Sequence, residues 1–228
     1  MRLCDTGRSV VTLAIFDLDE TLIEADSDHL WGQYVVDHGL AAADHEEKNN
    51  HFYNQYKAGE LDIDAYLEFA CSILARQDME TLLSHRRRFI EEVIKPIVLP
   101  EGEALVNRHR EKADTLMIIT STIEFVTRPI ADLFGVATLL APIPQIRDER
   151  YTGKIDGVPS FGEGKVTRLM EWLDVNREES LQGSCFYSDS HNDLPLLRRV
   201  DNPVAVDPDP ILKSEAEARG WQIISLRK

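Results

Sequence analysis

The sequence predicts an α/β protein: a doubly wound parallel sheet with a small helical cap inserted after the first strand. Three observations predict it. Short, continuously apolar runs recur at VTLAIF (11–16), LMIIT (116–120), SCFYS (184–188), PVAV (203–206) and QIIS (222–225), as suits strands buried on both faces. Segments of helical period separate them, and strands alternating with helices form parallel sheets. From about residue 25 to residue 96 the alternation stops and no run reads as a strand.

The first run ends at an acidic cluster, DLDET (17–21). The strandless stretch follows, and HLWGQYVVDHGL (29–40), NNHFYNQYKAGE (49–60), IDAYLEFACSIL (63–74) and METLLSHRRRFIEEVI (79–94) read as amphipathic helices, with Gly39 and Gly59 near helix ends. The expected division is a catalytic core of residues 1–24 and 97–228 with a helical cap of residues 25–96. In EFVTRPIADLF (124–134), Pro129 predicts a kink or a late helix start, because proline lacks the donor and crowds the preceding turn. ATLLAPIPQIRDERYTGKIDG (137–157) alternates around a polar turn at Asp148 and Glu149, which predicts a hairpin. In GEGKVTRLMEWLDV (162–175), Val166, Leu169, Met170 and Leu173 fall on one helical face. In DPDPILKSEAEARG (207–220), Asp209 is a cap, Pro210 the first helical residue and Gly220 the terminator.

Composition narrows the function. Of the 228 residues, 25 are Lys or Arg and 40 are Asp or Glu, a formal charge of −15. That balance argues against nucleic acid, whose phosphates need clustered cations, and against anionic membranes. No apolar run approaches the roughly 20 residues that span a bilayer. The opening MRLCDTGRSV has no apolar signal-peptide region. Cys4, Cys71 and Cys185 are too few and scattered for a disulfide framework, and Cys185 reads as a small buried hydrophobe. A reduced, cytoplasmic protein is expected, and nothing in the sequence assigns an oligomeric state.

Ligands of a doubly wound sheet bind beyond the carboxyl ends of its strands. Asp17 and Asp19 follow the first run, and side-chain alternation lets them face the same way. Thr120 ends the second run, Lys165 opens a helix, and Asp189 and Asp193 lie in SDSHND after the third. Convergent carboxylates form a hard oxygen site suited to Mg²⁺. A lysine and a hydroxyl supply donors for phosphoryl oxygens. The pattern reads as phosphoryl transfer, with a carboxylate available as nucleophile.

These segments resemble the four motifs of the haloacid dehalogenase-like (HAD) phosphatases. AIFDLDETL resembles a strand followed by DxDxT, and MIIT a strand ending in Ser or Thr. Lys165 in GEGKVTRL resembles the third motif, and YSDSHND the acidic fourth. The match spans about residues 11–206, and the helical insertion resembles that of the phosphoserine-phosphatase-like branch. The resemblance implies that Asp17 is the nucleophile and becomes an aspartyl phosphate, while Asp19 protonates the leaving oxygen and then activates water. It implies Mg²⁺ held by Asp17, the Asp19 carbonyl and Asp189, with Asp193 supporting the metal's waters. It implies phosphoryl contacts from Thr120, Ser121 and Lys165, with Asn192 contacting phosphate or lid.

For the leaving group, Asp26, Asp28 and His29 follow the nucleophile closely. In phosphoserine phosphatases of this branch, an acidic residue nine after the nucleophile meets the substrate's amino group; Asp26 has that spacing. TSTIEF stands where those enzymes commonly carry SGGF, and Asp26 or Asp28 equally suits an imidazole or ammonium group. The substrate is thus expected to be a small phosphate ester, phosphoserine- or histidinol-phosphate-like. Two alternatives stand beside hydrolysis: a phosphotransferase using an alcohol acceptor, and a weakly active phosphometabolite-binding regulator.

Other features read more plainly. DLDET is not an EF-hand, because Leu22 stands where that loop needs glycine. Arg86, Arg87 and Arg88 form a solvated helix face or else meet an anionic substrate. Trp31, Tyr34, Phe52, Tyr53 and Tyr56 read as the core of the insertion. His191 is expected at the surface, and Asn192 is expected to cap the run holding Pro195.

Overall fold

The computed structural model describes residues 12–227. Cys4 and the leader reading of MRLCDTGRSV lie outside the described residues. Five runs become parallel strands: β1 (Leu13–Phe16), β2 (Thr115–Ile119), β6 (Cys185–Ser188), β7 (Asn202–Val206) and β8 (Gln222–Ile224). A sixth, β3 (Thr138–Leu140), pairs parallel with β2. The sheet order is β3-β2-β1-β6-β7-β8, so the winding reverses at β1 and β6. That reversal opens a crevice beyond the strand ends, where doubly wound sheets bind ligands.

Side-chain alternation divides the core cleanly. Leu13 and Ile15 pack with Met117, Ile119, Phe186 and Ala205 on one face of the sheet. Ala14 and Phe16 pack with Ile118, Tyr187, Val204 and Val206 on the other. The first face is covered by α7 (Glu163–Val175), α8 (Leu194–Leu197) and α9 (Pro210–Arg219). The second carries α5 (Pro100–Glu111) and α6 (Glu124–Leu133).

Between β1 and β2 lie α1 (Ser27–Asp37), α2 (Asp44–Ala58), α3 (Ile63–Arg76) and α4 (Met79–Phe89), then a π-helical turn at Ile90–Ile94. Asp26, Asp62 and Asp78 cap α1, α3 and α4 through backbone N–H groups. Gly59 ends α2 with φ of 72°, a conformation that costs glycine little. Trp31, Leu67, Leu74 and Phe89 of the insertion share one apolar cluster with Phe16 and Ile118 of the sheet. The hairpin of β4 (Ile143–Arg147) and β5 (Arg150–Asp156) turns at Asp148 and Glu149, both at positive φ. Its Tyr151 meets Phe125 edge-on.

Several expectations need correction. The α6 helix starts at Glu124 and runs through Pro129. The carbonyl of Phe125, four residues earlier, accepts from Arg86 Nη1 at 3.0 Å, and the Arg86 guanidinium lies over the Phe125 ring. Arg86 therefore leaves the solvated face to pair a carbonyl that proline cannot. Met170 is exposed and Trp172 packs inward instead. Cys185 is only half-buried. Helix α8, which holds Pro195, starts after Asp193 with no side-chain cap; Ser190 Oγ accepts from Asn192 N in the short turn before it, and the Asn192 side chain is engaged elsewhere. His191 is not at the surface: its ring pairs with Asp209 at 2.8 Å and is only 15% exposed. Trp31 and Tyr34 are buried core residues, whereas Phe52, Tyr53 and Tyr56 line a cavity.

Candidate active site

The site forms where β1, β2 and β6 end beneath the insertion. Asp17 continues β1 by one residue, its N–H donating to the Tyr187 carbonyl at 2.9 Å. It follows Leu13 and Ile15 in the alternation and so points to the face that α7 covers. There Lys165, at the first turn of α7, places Nζ 2.9 Å from Asp17 Oδ1 and 2.7 Å from Asp193 Oδ1. Asp193 also accepts from Ser188 Oγ at 2.7 Å. Lys165 is 2% exposed. Burial alone would lower its pKa, but Asp17 and Asp193 hold it well above the usual lysine value. Burial pushes the Asp17 carboxyl up and the Lys165 ammonium opposes that rise.

Asp19 reaches the site by a turn rather than by strand alternation. Asp19 and Glu20 form a turn beyond β1, with Glu20 at φ of 56°, a conformation found at functional turns. Asp19 Oδ1 accepts from Ser27 N at 2.8 Å, and Oδ2 accepts from Thr122 Oγ1 at 2.8 Å and Thr120 Oγ1 at 3.4 Å. Burial, reinforced by the Asp26 charge, pushes its carboxyl up to about 7. Such a group exchanges protons near neutrality.

Asp189 follows β6 and accepts from Thr21 Oγ1 at 3.1 Å. Burial, then the charges of Asp17, Glu20 and Asp193, raise its carboxyl well above the usual range, with Lys57 opposing. Among the described residues no three His, Cys, Asp or Glu side chains group as a metal centre. The Mg²⁺ set implied by the family resemblance needs only two carboxylates and a backbone carbonyl. Carboxylates crowded against each other suit a hard cation.

A narrow cavity lies between these groups and the insertion. Of the predicted residues, Asp17, Asp19, Thr120, Ser121, Asp26 and His29 line it. Lys165, Asp189, Asp193, Asn192 and Asp28 lie outside its wall. Lys165 and Asp193 connect to it through Asp17. Asn192 Nδ2 donates to the Tyr56 carbonyl at 3.2 Å, tying α2 to the core. Asp28 accepts from the Tyr66 hydroxyl, behind the wall that Tyr66 forms. Burial pushes both Asp26 and Asp28 up to about 7.

Sequence reasoning missed Thr122, Thr21, Ser188, Asn49 and Tyr66. The x-Thr-x-Thr spacing of Thr120 and Thr122 was a usable signal, since it repeats the spacing of Asp17 and Asp19. Nothing in the sequence marks Asn49 or Tyr66, because only helix packing brings them to the cavity.

Comparisons with known proteins identify the family. Residues 14–198 match the family described as haloacid dehalogenase-like hydrolase. A histidinol-phosphatase of Neisseria meningitidis serogroup C is 46% identical over 220 residues, covering 94% of this chain and 99% of that protein. A crystal structure of a Bordetella pertussis Tohama I protein of unknown function is 41% identical, with a TM-score of 0.89 over 95% of this chain and 99% of that one. A phosphoserine phosphatase solved as a phospho-aspartyl intermediate analogue shares the fold at 17% identity, with a TM-score of 0.70 over 96% of this chain and 94% of its own. The chain belongs to the haloacid dehalogenase-like hydrolase family and is an enzyme of its phosphatase kind.

Proposed function

We propose that the protein is a Mg²⁺-dependent phosphomonoesterase that hydrolyses histidinol phosphate through a phosphoenzyme on Asp17. One observation carries the substrate: no lysine or arginine is among the described residues lining the cavity. An ester bearing a carboxylate, such as phosphoserine, would bury that charge unpaired at a cost of several kcal/mol. Histidinol phosphate offers an ammonium group and an imidazole and no carboxylate. Asp26, at the start of α1, suits the ammonium group. The name of the 46% identical relative agrees with this choice.

In the first step an Asp17 carboxylate oxygen attacks phosphorus and the bond to the leaving oxygen breaks. Asp19 gives its proton to that oxygen, so histidinol departs neutral at the alcohol. Asp19, now a carboxylate, takes a proton from water as the water oxygen attacks phosphorus. The bond from phosphorus to Asp17 breaks, and phosphate leaves. Lys165 holds Asp17 in place, and the Thr120 hydroxyl and the Ser121 backbone N–H are the donors for the phosphoryl oxygens. Bound through Asp17, the Asp19 carbonyl and Asp189, Mg²⁺ would neutralise phosphoryl charge.

The test is phosphate release from histidinol phosphate and phosphoserine, with Mg²⁺ and with EDTA. Metal-dependent release with histidinol phosphate preferred supports the reading. Preference for phosphoserine would defeat the substrate, and release of alcohol without phosphate when a second alcohol is present would indicate transfer.

A further inference from the structure

His29 is held more firmly than a residue of a solvated helix needs to be. On α1 it lies one turn before Gln33, whose Nε2 approaches His29 Nε2 at 3.3 Å. With the Gln33 amide in this orientation its N–H donates, so His29 Nε2 accepts and the ring proton sits on Nδ1. Burial lowers the pKa of this ring, which keeps it neutral. One face stacks on Tyr53 with centroids 4.4 Å apart and planes 25° from parallel. Its backbone carbonyl accepts from Asn49 Nδ2 at 2.9 Å. Asn49 can close on α1 there because Gly32 has no side chain; a Cβ on Gly32 would lie 2.4 Å from Asn49 Nδ2.

Ring plane and backbone are thus both held, yet Nδ1 is buried with no hydrogen-bond partner. A buried donor left unpaired costs about 1–3 kcal/mol, and native proteins rarely leave one. His29 lines the cavity together with Phe52, Tyr53, Tyr56 and Tyr66. That combination, aromatic walls with one fixed N–H, matches an aromatic ring carrying an acceptor nitrogen in its plane.

We propose that His29 is a specificity-determining residue whose Nδ1–H donates to the unprotonated imidazole nitrogen of the leaving group. The inference rests on the histidinol-phosphate reading and adds the residue that recognises the ring. Asp26 takes the ammonium end, so the N-cap of α1 and a residue of its first turn, three apart, measure the distance between amine and ring nitrogen.

The experiment compares KM and kcat for histidinol phosphate with those for phenylalaninol phosphate, which keeps the amine and an aromatic ring but lacks the nitrogen. In His29→Phe the stack survives and the donor is lost. The preference for histidinol phosphate, as a ratio of kcat/KM values, should fall on the order of 10-fold or more, mostly through KM. His29→Asn, whose amide N–H can stand near the position of Nδ1, should recover much of that preference. Gln33→Leu, which frees the ring to take the other tautomer, should shift the ratio in the same direction and serves if His29→Phe does not fold. An unchanged ratio in the variants, with wild-type turnover of histidinol phosphate intact, overturns the role of His29 alone. Wild-type enzyme that hydrolyses phosphoserine but not histidinol phosphate overturns the substrate reading and this inference with it.

Discussion

Lys165 Nζ lies 2.9 Å from Asp17 Oδ1, and both side chains are almost fully buried. The pair joins two distant parts of the chain, the end of β1 and the start of α7. Replacing Lys165 with Met should leave the Asp17 and Asp193 carboxylates facing each other without a cation. Losing one partner of a buried ion pair costs about 3–5 kcal/mol. Lys165→Met should therefore lower stability by that order in urea unfolding and abolish phosphate release. A fully active Lys165→Met enzyme would show that the ammonium is dispensable.

Arg86 is expected to matter for stability rather than chemistry. It pairs the Phe125 carbonyl that Pro129 leaves free and covers the Phe125 ring at 4.7 Å. Arg86→Ala should cost about 2 kcal/mol, a drop in melting temperature of roughly 4–8 °C. Thermal unfolding by circular dichroism reads this directly. No change in melting temperature would mean that water replaces Arg86 at that carbonyl.

Gly39 and Gly59 offer a matched pair. Both have φ near 70°, but a Cβ at Gly39 meets nothing within 4 Å, whereas one at Gly59 lies 2.6 Å from His191 Nε2. Each alanine should cost about 1 kcal/mol from backbone strain. Only Gly59→Ala should also raise KM, because it pushes α2 away from the core loop bearing His191 and Asn192. Equal KM values for the two variants would argue against that contact holding the insertion over the cavity.

Stability should respond to acid through Asp114. Burial would raise this carboxyl, but hydrogen bonds from His109 and Thr12 outweigh it and hold it below its usual 3.8. A group depressed on folding contributes fully above its unfolded pKa, and the contribution fades as pH falls through the folded value. The stability gap between wild type and Asp114→Asn should be full at pH 7 and shrink as pH drops below 3.8. Urea titrations at neutral and acid pH measure the gap; a gap that does not change with pH would rule out Asp114 as its source.

Much of this was legible in the sequence for a physical reason. β1, β2 and β6 are buried on both faces, so their runs are apolar without interruption, and the polar residues after them face the candidate site. β3 escaped notice because its three residues, Thr138–Leu140, carry too little pattern to separate from the hairpin that follows. Helix α5 likewise carries little apolar periodicity, with Leu105 and Val106 among few buried side chains. The cavity wall was hardest to read: Asn49, Phe52 and Tyr66 come together only through the packing of α1, α2 and α3. His191 was misjudged because Asp209, its partner, lies 18 residues away.

In the proposed mechanism Asp17 carries the phosphoryl group while Asp19 moves the protons. The most direct test uses Asp19→Asn with p-nitrophenyl phosphate, whose acidic leaving group needs little protonation. A burst of about one nitrophenolate per active site is expected, then a stall, with peptide mass analysis locating the phosphate on Asp17. Phosphate on another residue, or steady hydrolysis by Asp19→Asn at the wild-type rate with no burst, would contradict it.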